Sequence, residues 1–179
     1  MRCQTTNNNK AVVKTIPTLS GSGKWMARFE FHRRSDDDGD GVMVGFTSST
    51  FTGNDSALYR FQNDAGYASG LLVYQANSTN QFFFSGRTPA NGWDGASSAS
   101  GFTNGANTVT YVELIHRSDT DVSVNFYTDS AFSTGKVTQD RTFTASSGAS
   151  SFDFNQICLA TQWSSSKEHQ VHIRNLEVK

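Results

Sequence analysis

The feature that most constrains this chain is a period-two alternation of apolar and polar residues, which recurs along its length. From Trp25 to Phe31 every second residue is apolar, and the stretch from Val122 to Phe126 repeats the pattern. A period of two places the apolar side chains on one face of an extended strand. About ten to twelve short segments of this kind, separated by turns rich in Gly, Ser, Asn and Asp, are typical of two packed sheets. The sequence therefore predicts an all-β, two-sheet antiparallel jelly-roll sandwich.

Length and charge limit the classes of protein to which the chain can belong. Its 179 residues are enough for one domain with its own hydrophobic core. We interpret residues 1–10 as a polar N-terminal tail and residues 11–179 as a single domain, whose first strand, 11–16, ends before Pro17. The formal net charge of −1 provides no basic surface for nucleic acid. No apolar run approaches the ~20 residues of a membrane helix, so we expect no membrane insertion.

The remaining strands follow from short apolar runs and from the alternation. The last strand changes phase after Ile173, because Leu176 and Val178 fall on its other face. We therefore predict a β-bulge at Arg174–Asn175, and we expect the terminal strands to lie side by side. The stretch 86–106 has no periodicity and is predicted to be a long loop. The other strands are predicted at residues 56–62, 70–76, 81–85, 108–117, 122–127, 141–144, 152–160 and 169–178.

The densest cluster of charge lies between two predicted strands, from Lys24 to Phe46, which we interpret as a hairpin with an acidic turn. Asp36, Asp38 and Asp40 occupy alternate positions of the turn and are followed by a glycine. This spacing matches the first half of a calcium-binding loop, although the flanks are strands and the usual bidentate glutamate is missing. The sequence predicts calcium held by these three carboxylates. The alternative is a hydrated acidic tip balanced by the neighbouring arginines.

A second candidate site lies in the predicted long loop. Asn91, Trp93 and Asp94 combine an aromatic face with polar groups, which is the combination that a sugar ring requires. Tyr67 lies in another predicted turn that can share the same rim. These four residues are the predicted carbohydrate-binding set. The alternative is that the Trp93 side chain closes the end of the sandwich and holds the loop down.

Catalytic patterns are weak in this sequence. Its glutamates are isolated from one another, and none begins the closely spaced carboxylate motif that glycoside hydrolysis uses. The histidines form no metal-binding spacing, and we interpret them as surface or internally hydrogen-bonded strand residues. The sequence therefore predicts a binding protein that is not an enzyme. The glutamates are Glu30, Glu113, Glu168 and Glu177, and the histidines are His32, His116, His169 and His172.

Location and assembly are open to more than one interpretation. Two N-x-[ST] sequences, at Asn54 and Asn77, favour an extracellular or cell-surface location, and a virion component is possible. Exposed apolar strands such as QFFFS would favour self-association, so the alternative function is a self-assembling subunit of a surface filament or virion. Cys3 and Cys158 either form a disulfide between the ends of the chain or remain separate, with Cys158 in the core.

Four segments resemble the concanavalin A-like lectin/glucanase superfamily, particularly its laminin G-like and thrombospondin-C-like members. They are SDDDGDGVMVGF, SALYRFQ, YVELIHRSDTDVSVNFYTDSAFSTG and HIRNLEV. The resemblance implies two antiparallel sheets that pack together, with loops at one rim that hold calcium, and a glycan or protein partner. Of the calcium ligands, only Asp36, Asp38 and Asp40 correspond to the family pattern. The resemblance thus implies a lectin-like module stabilised by calcium.

Overall fold

The computed structural model describes residues 1–5, 10–34, 42–47, 70–75, 81–88, 92–94, 99–105, 107–118, 121–142, 153–161 and 169–179. All regular secondary structure in these ranges is β-strand. Within them, no helix is long and apolar enough to cross a membrane. The thirteen strands are β1 (Arg2–Thr5), β2 (Lys10–Leu19), β3 (Trp25–Arg33), β4 (Val42–Thr47), β5 (Gly70–Gln75), β6 (Gln81–Thr88), β7 (Gly92–Asp94), β8 (Ala99–Thr103), β9 (Val109–Ser118), β10 (Asp121–Tyr127), β11 (Val137–Thr142), β12 (Phe154–Thr161) and β13 (His169–Val178).

The strands form two sheets in which every pairing is antiparallel. Sheet A has six strands in the order β1-β13-β3-β9-β10-β11, and sheet B has seven, in the order β2-β12-β4-β5-β6-β7 with β8 also paired to β6. The predicted two-sheet antiparallel sandwich is thus confirmed.

Aromatic side chains from both sheets meet in the core. The Phe82 ring of sheet B lies 5.3 Å from that of Phe31 and 5.0 Å from that of Phe126, both in sheet A, measured between ring centroids. Phe102 closes the cluster at 5.6 Å from Phe82. These contacts follow from the alternation, because it aims the aromatic face of each strand at the opposite sheet.

The predicted hairpin at residues 24–46 is wrong, because its two strands belong to different sheets. β3 pairs with β9 and β13 in sheet A, and β4 pairs with β5 and β12 in sheet B. The two strands meet only across the core, where the Phe29 and Phe46 rings lie 6.3 Å apart. Alternation identifies which face of a strand is buried. It does not distinguish two strands that pair within one sheet from two strands that face each other across the core, because both arrangements bury the same residues. The acidic segment therefore links the two sheets.

The predicted N-terminal tail contains a strand, which corrects that prediction. β1 pairs with β13, with Cys3 opposite Val171, and the Met1 ammonium group donates a hydrogen bond to the Ile173 carbonyl at 2.9 Å. An edge strand is held by main-chain hydrogen bonds, which need no apolar alternation in the sequence. The expectation that the terminal strands lie side by side is confirmed for β1 and β13.

The first predicted strand, 11–16, is too short, since β2 continues through Pro17 to Leu19. β2 is the outermost strand of its sheet, and its register with β12 shifts between the partners of Phe154 and Gln156, around Pro17. Proline has no N–H to donate, and this costs no ladder hydrogen bond at a bulge on an edge strand. Pro17 therefore does not end the strand.

The stretch 86–106, predicted as a long loop, contains the end of β6 and the short strands β7 and β8. Both strands are held by main-chain hydrogen bonds to β6, which need no alternation of apolar and polar residues in the sequence.

The β-bulge at Arg174–Asn175 is confirmed: the β13 register shifts between Arg174 and Glu177, and Asn175 has a φ of 49°. β11 begins at Val137, earlier than the predicted 141–144 strand, and the predicted 56–62 strand lies outside the described residues.

Cys158 lies in the core of the sandwich, with no exposed surface. It is not part of a disulfide. Cys3 lies in β1 of sheet A and Cys158 in β12 of sheet B. The interpretation of Cys158 as a small buried hydrophobic residue is therefore the one that the structure supports.

Candidate functional site

The residues that the sequence predicted as site residues are only partly described. Trp93 and Asp94 lie in β7, at the edge of sheet B, where Trp93 is opposite Arg87 and Asp94 is opposite Gly86. Asn91, Tyr67 and the three predicted calcium ligands Asp36, Asp38 and Asp40 lie outside the described residues. Among the residues that are described, no three His, Cys, Asp or Glu side chains form a group suited to a metal ion.

The outer face of sheet A, which points away from the core, carries a continuous set of polar side chains. Strand register places Arg28 opposite Glu113 on one side and opposite Glu177 on the other. It also places Glu30 opposite Arg174, since β3 and β13 are neighbours. Alternation explains why the set is polar, because its neighbours along the strands fill the core. The set consists of Arg28, Glu30, His32, Tyr111, Glu113, Asn125, Tyr127, His172 and Arg174.

Glu113 is the centre of a hydrogen-bond network on this face. Its Oε1 accepts hydrogen bonds from Arg28 Nε at 2.8 Å and Nη2 at 2.6 Å. Its Oε2 accepts from Asn125 Nδ2 at 2.7 Å and Tyr127 Oη at 3.1 Å, and Thr138 donates to Asn125 Oδ1. Burial raises the pKa of the Glu113 carboxyl, but the hydrogen bonds from Asn125, Arg28 and Tyr127 outweigh it and hold the pKa below its usual value.

The segment 128–136, between β10 and β11, brings an aromatic ring over this network. The Phe132 ring covers the Arg28 guanidinium, 4.8 Å from Cζ to the ring centroid. It also packs edge-to-face against the rings of Tyr111 and Tyr127, with ring centroids 5.9 and 5.5 Å apart, respectively. A cation is attracted to the face of an aromatic ring. Phe132 adopts a φ of 54°, an unfavourable value for a bulky residue, which indicates that the segment imposes its position.

Asp129 holds the segment 128–136 in this conformation. Its Oδ1 accepts hydrogen bonds from the Ala131 N–H at 2.9 Å and the Ser133 hydroxyl at 3.1 Å. Its Oδ2 accepts from the Ser133 and Thr134 N–H groups. The segment closes at Gly135, with a φ of 70°, where an added Cβ would lie 2.9 Å from Thr128 Oγ1. Phe132 is therefore held on a fixed turn.

An open cavity of about 250 Å³ lies beside the Phe132 ring on the same face. Asn175 reaches it from the β13 bulge and donates a hydrogen bond from Nδ2 to Glu30 Oε1 at 2.7 Å. The cavity thus combines aromatic edges with fixed hydrogen-bonding groups, the composition of a site for a polar ligand with apolar faces. Its lining consists of Arg28, Phe29, Glu30, Tyr111, Ser130, Phe132, Asn175 and Glu177.

His116 is an internally hydrogen-bonded strand histidine, as interpreted from the sequence. Its ring stacks on Trp25 with centroids 4.9 Å apart and planes 3° from parallel. Its Nδ1 lies 2.7 Å from the Gly23 carbonyl oxygen. Trp25 in turn donates from Nε1 to the Ser20 carbonyl at 3.0 Å. These contacts assign His116 to the core.

The sequence interpretation missed Phe132, Arg28 and the role of Glu113. The signal for Phe132 was the run Asp129 to Gly135, because Asp followed by Ser, Thr and Gly is the chemistry of a side-chain-capped turn. Arg28 and Glu113 lie 85 positions apart in the chain, and only strand pairing brings them together. No local sequence pattern therefore connects Glu113 to its partners.

Comparisons with known proteins give fold-level matches only. No protein-family model and no curated protein sequence matches this chain. Among solved structures, the exoplasmic/lumenal domain of VIP36, in a Ca²⁺/Man3GlcNAc-bound form, matches with a TM-score of 0.62 at 13% identity, over 97% of this chain and 75% of that one. Basic winged bean lectin with Tn-antigen matches with a TM-score of 0.59 at 10% identity, over 100% and 98%.

A sialidase matches over 99% of this chain, with a TM-score of 0.61 and 13% identity, but the chain spans only 15% of the sialidase. Identities this low establish fold and leave function to the site itself. The two antiparallel sheets, their packing and these matches agree with the resemblance of the four sequence segments. The chain has the jelly-roll fold of the concanavalin A-like lectin/glucanase superfamily.

Proposed function

We propose that the protein is a non-catalytic carbohydrate-binding module whose ligand contacts the outer face of sheet A beside Phe132. The observation that carries this proposal is the cavity in which an aromatic ring, the Arg28 guanidinium and the Glu30–Asn175 pair converge. Sugar rings have apolar faces that pack on aromatic side chains and hydroxyl groups that need fixed polar partners. The matches to two sugar-bound proteins of the same fold support the proposal.

The chemistry of Glu113 supports a binding role. A glycosidase of the common type needs one carboxylic acid that donates a proton and a second carboxylate nearby. Hydrogen bonds keep Glu113 ionised and occupy both of its oxygens. Burial and the neighbouring Glu113 charge raise the pKa of the Tyr127 hydroxyl, so that it stays protonated near pH 7 and donates its hydrogen bond to Glu113. Both groups are therefore suited to holding Arg28 in place.

A glycan array tests the proposal. We expect the wild-type chain to bind a subset of glycans, and Phe132→Ala to weaken that binding about tenfold, equivalent to ~1.4 kcal/mol. Trp93→Ala tests the surface predicted from the sequence, at the β7 edge of sheet B. If this variant loses binding while its melting temperature is unchanged, the ligand lies at the β7 edge. Val12→Ala, at an exposed position of β2, is the control.

Three further outcomes would contradict the proposal. They are the absence of any bound glycan, the release of new reducing ends from a bound one, and assembly of the purified chain into filaments. The last outcome, detected by light scattering, would favour the self-assembling subunit. The proposed module acts at the cell surface or outside the cell, where glycans are presented.

We also propose that calcium, held by Asp36, Asp38 and Asp40, stabilises the connection between the two sheets. The segment that contains them begins after β3 in sheet A and ends at β4 in sheet B, so an ion there would tie the sheets together. At one hundred times the dissociation constant, calcium should stabilise the fold by about 2.7 kcal/mol, visible as a raised thermal midpoint. Magnesium should substitute poorly.

Asp38→Asn should remove most of the calcium response without lowering the midpoint measured in chelator, because it deletes one repelling charge. Asp153→Asn, at an exposed acid in a described segment, is the charge-matched control and should retain the response. An unmoved wild-type midpoint in chelator would show that the acidic segment is only hydrated.

A further inference from the structure

A pair of histidines lies at the end of the same outer face. His32 in β3 and His172 in β13 are directly opposite in register, and their rings are 5.9 Å apart at 76°. The Nε2 atom of each ring is buried and has no hydrogen-bond partner among the described residues. His172 as a whole is only 7% exposed. A buried polar atom without a partner costs free energy, so the pair is a candidate for a function.

Three arginines surround this pair, from three different parts of the chain. Arg2 in β1 lies opposite His172, Arg174 follows two positions along β13, and Arg34 comes directly after β3. All three are exposed. Arg2 donates a hydrogen bond to the neutral side chain of Gln170 at 3.0 Å. No carboxylate among the described residues forms a salt bridge with Arg34 or Arg174.

The arginines affect the histidines electrostatically. Burial and, to a smaller extent, the charges of Arg2, His32, Arg174 and Arg34 together lower the pKa of His172 to about 4. The pKa of His32 is also lowered, by burial first and then by Arg34 and Arg174, against the opposing effect of a hydrogen bond to the Asn107 backbone. Both rings are therefore neutral near pH 7.

One acidic group faces this cluster from the described strands. Glu30 lies opposite Arg174 in register, and its Oε1 already accepts the hydrogen bond from Asn175. Among the residues that the structure describes, positive charge thus exceeds negative charge at this end of the face, although the whole chain has a formal net charge of −1. Arginine side chains beside two buried Nε2 atoms that have no hydrogen-bond partner among the described residues form an arrangement that an anion would stabilise.

We propose that Arg2, Arg34, Arg174 and the histidine pair bind the acidic group of an acidic oligosaccharide. The inference rests on the proposed function, since it assigns a substrate class to the same face. Glu30 and Asn175 line the Phe132 cavity, and Arg174 lies between them and the histidines. Arg28 and His32 are four positions apart on β3, about 13 Å, so that a ligand reaching both ends must contain more than one sugar.

Arginine suits this role because its guanidinium group presents paired donors to a carboxylate or sulfate. A bound anion also favours the protonated form of a neighbouring histidine, so binding raises the pKa of His32 and His172. Between the pKa in the free protein and the higher pKa in the complex, binding takes up protons and becomes tighter as the pH falls. Uronate and sulfate groups stay ionised across this range.

The experiment compares matched acidic and neutral ligands by titration calorimetry at about 50 mM salt. Oligogalacturonate is paired with its methyl ester, and dextran sulfate with dextran. We expect one acidic ligand or both to bind about tenfold more tightly than the neutral partner. Arg174→Ala and Arg34→Ala should each weaken acidic binding about tenfold. Arg117→Ala removes the same charge from the far end of sheet A, where Arg117 pairs with Asp121, and should change binding less than about twofold.

His172→Gln tests the coupling to protons. Wild-type binding of the acidic ligand should tighten at least about threefold from pH 7.5 to pH 5.5, and the variant should lose the part of this dependence that comes from His172. A purely structural role for His172 would leave the pH dependence in place, which would overturn its assignment.

The outcomes separate this inference from the proposed function. Equal binding of acidic and neutral partners would overturn the inference and leave the carbohydrate-binding proposal standing. The inference would also be overturned if Arg174→Ala and Arg117→Ala lost equal affinity for the acidic ligand, or if a single-stranded oligonucleotide bound equally tightly. Either result would show that the cluster attracts anions in general. Failure of every glycan on the array to bind would reject both.

Discussion

Replacing Phe82 by alanine is expected to lower the free energy of unfolding by about 3–5 kcal/mol. The Phe82 ring is completely buried and lies at the junction of the two sheets, within 5.0–5.6 Å of the rings of Phe31, Phe102 and Phe126. Its removal leaves a cavity bounded by rings from three other strands, which cannot all move inward together because each is fixed to its own sheet.

Denaturant unfolding and a thermal scan measure this effect. For a chain of this size the loss corresponds to a drop of roughly 6–20 °C in the thermal midpoint. Val12→Ala is the control, because Val12 is 37% exposed on an edge strand and its truncation should cost less than about 0.5 kcal/mol. A loss below about 1 kcal/mol for Phe82→Ala would contradict the aromatic junction between the sheets.

Replacing Glu113 by alanine is expected to destabilise the fold by on the order of 3 kcal/mol, although Glu113 lies on an outer face. The change removes the acceptor for buried donors of Asn125 and Tyr127 and the partner of the Arg28 guanidinium. Glu113→Gln keeps one acceptor oxygen and should cost less. Glu177→Gln removes an exposed carboxylate that is paired with Lys179, and should have almost no effect.

The pH dependence provides a second measurement on the same variants. Because the pKa of Glu113 is lower in the folded protein than its ordinary 4.5, its contribution to stability is fully present above the ordinary pKa. It is lost as the pH falls through the folded-state pKa. The wild type should therefore lose stability below about pH 4.5 more steeply than Glu113→Ala. Parallel acid profiles for the two proteins would show that Glu113 is not part of the network.

The Glu113 network also bears on binding, since it holds Arg28 beneath the Phe132 ring. A ligand that packs beside Phe132 meets a surface whose side chains are already ordered, which lowers the entropy cost of binding. Asp129 and the positive φ of Phe132 contribute to the same preorganisation. The stability of the outer face and the proposed recognition of sugars thus depend on the same contacts.

Alternation of residue types was sufficient to predict which segments are strands and which side of each strand is buried. β3, β9, β10, β12 and β13 lie close to where the sequence predicts them, and the phase change after Ile173 marks the bulge that the β13 register contains. These properties are local, because the side chains of neighbouring residues in an extended chain point to opposite faces whatever the partner strand is. The all-β class and the two-sheet architecture follow from them.

Only the tertiary structure decided which strands are partners, and the outer-face site depends on that choice. β3 faces β4 across the core instead of pairing with it, and it pairs with β9 and β13, which places Arg28 beside Glu113 and His32 beside His172. The residues of each pair lie far apart in sequence, so no local pattern connects them. Strand order results from the closure of long loops and the packing of two sheets, which are properties of the whole chain.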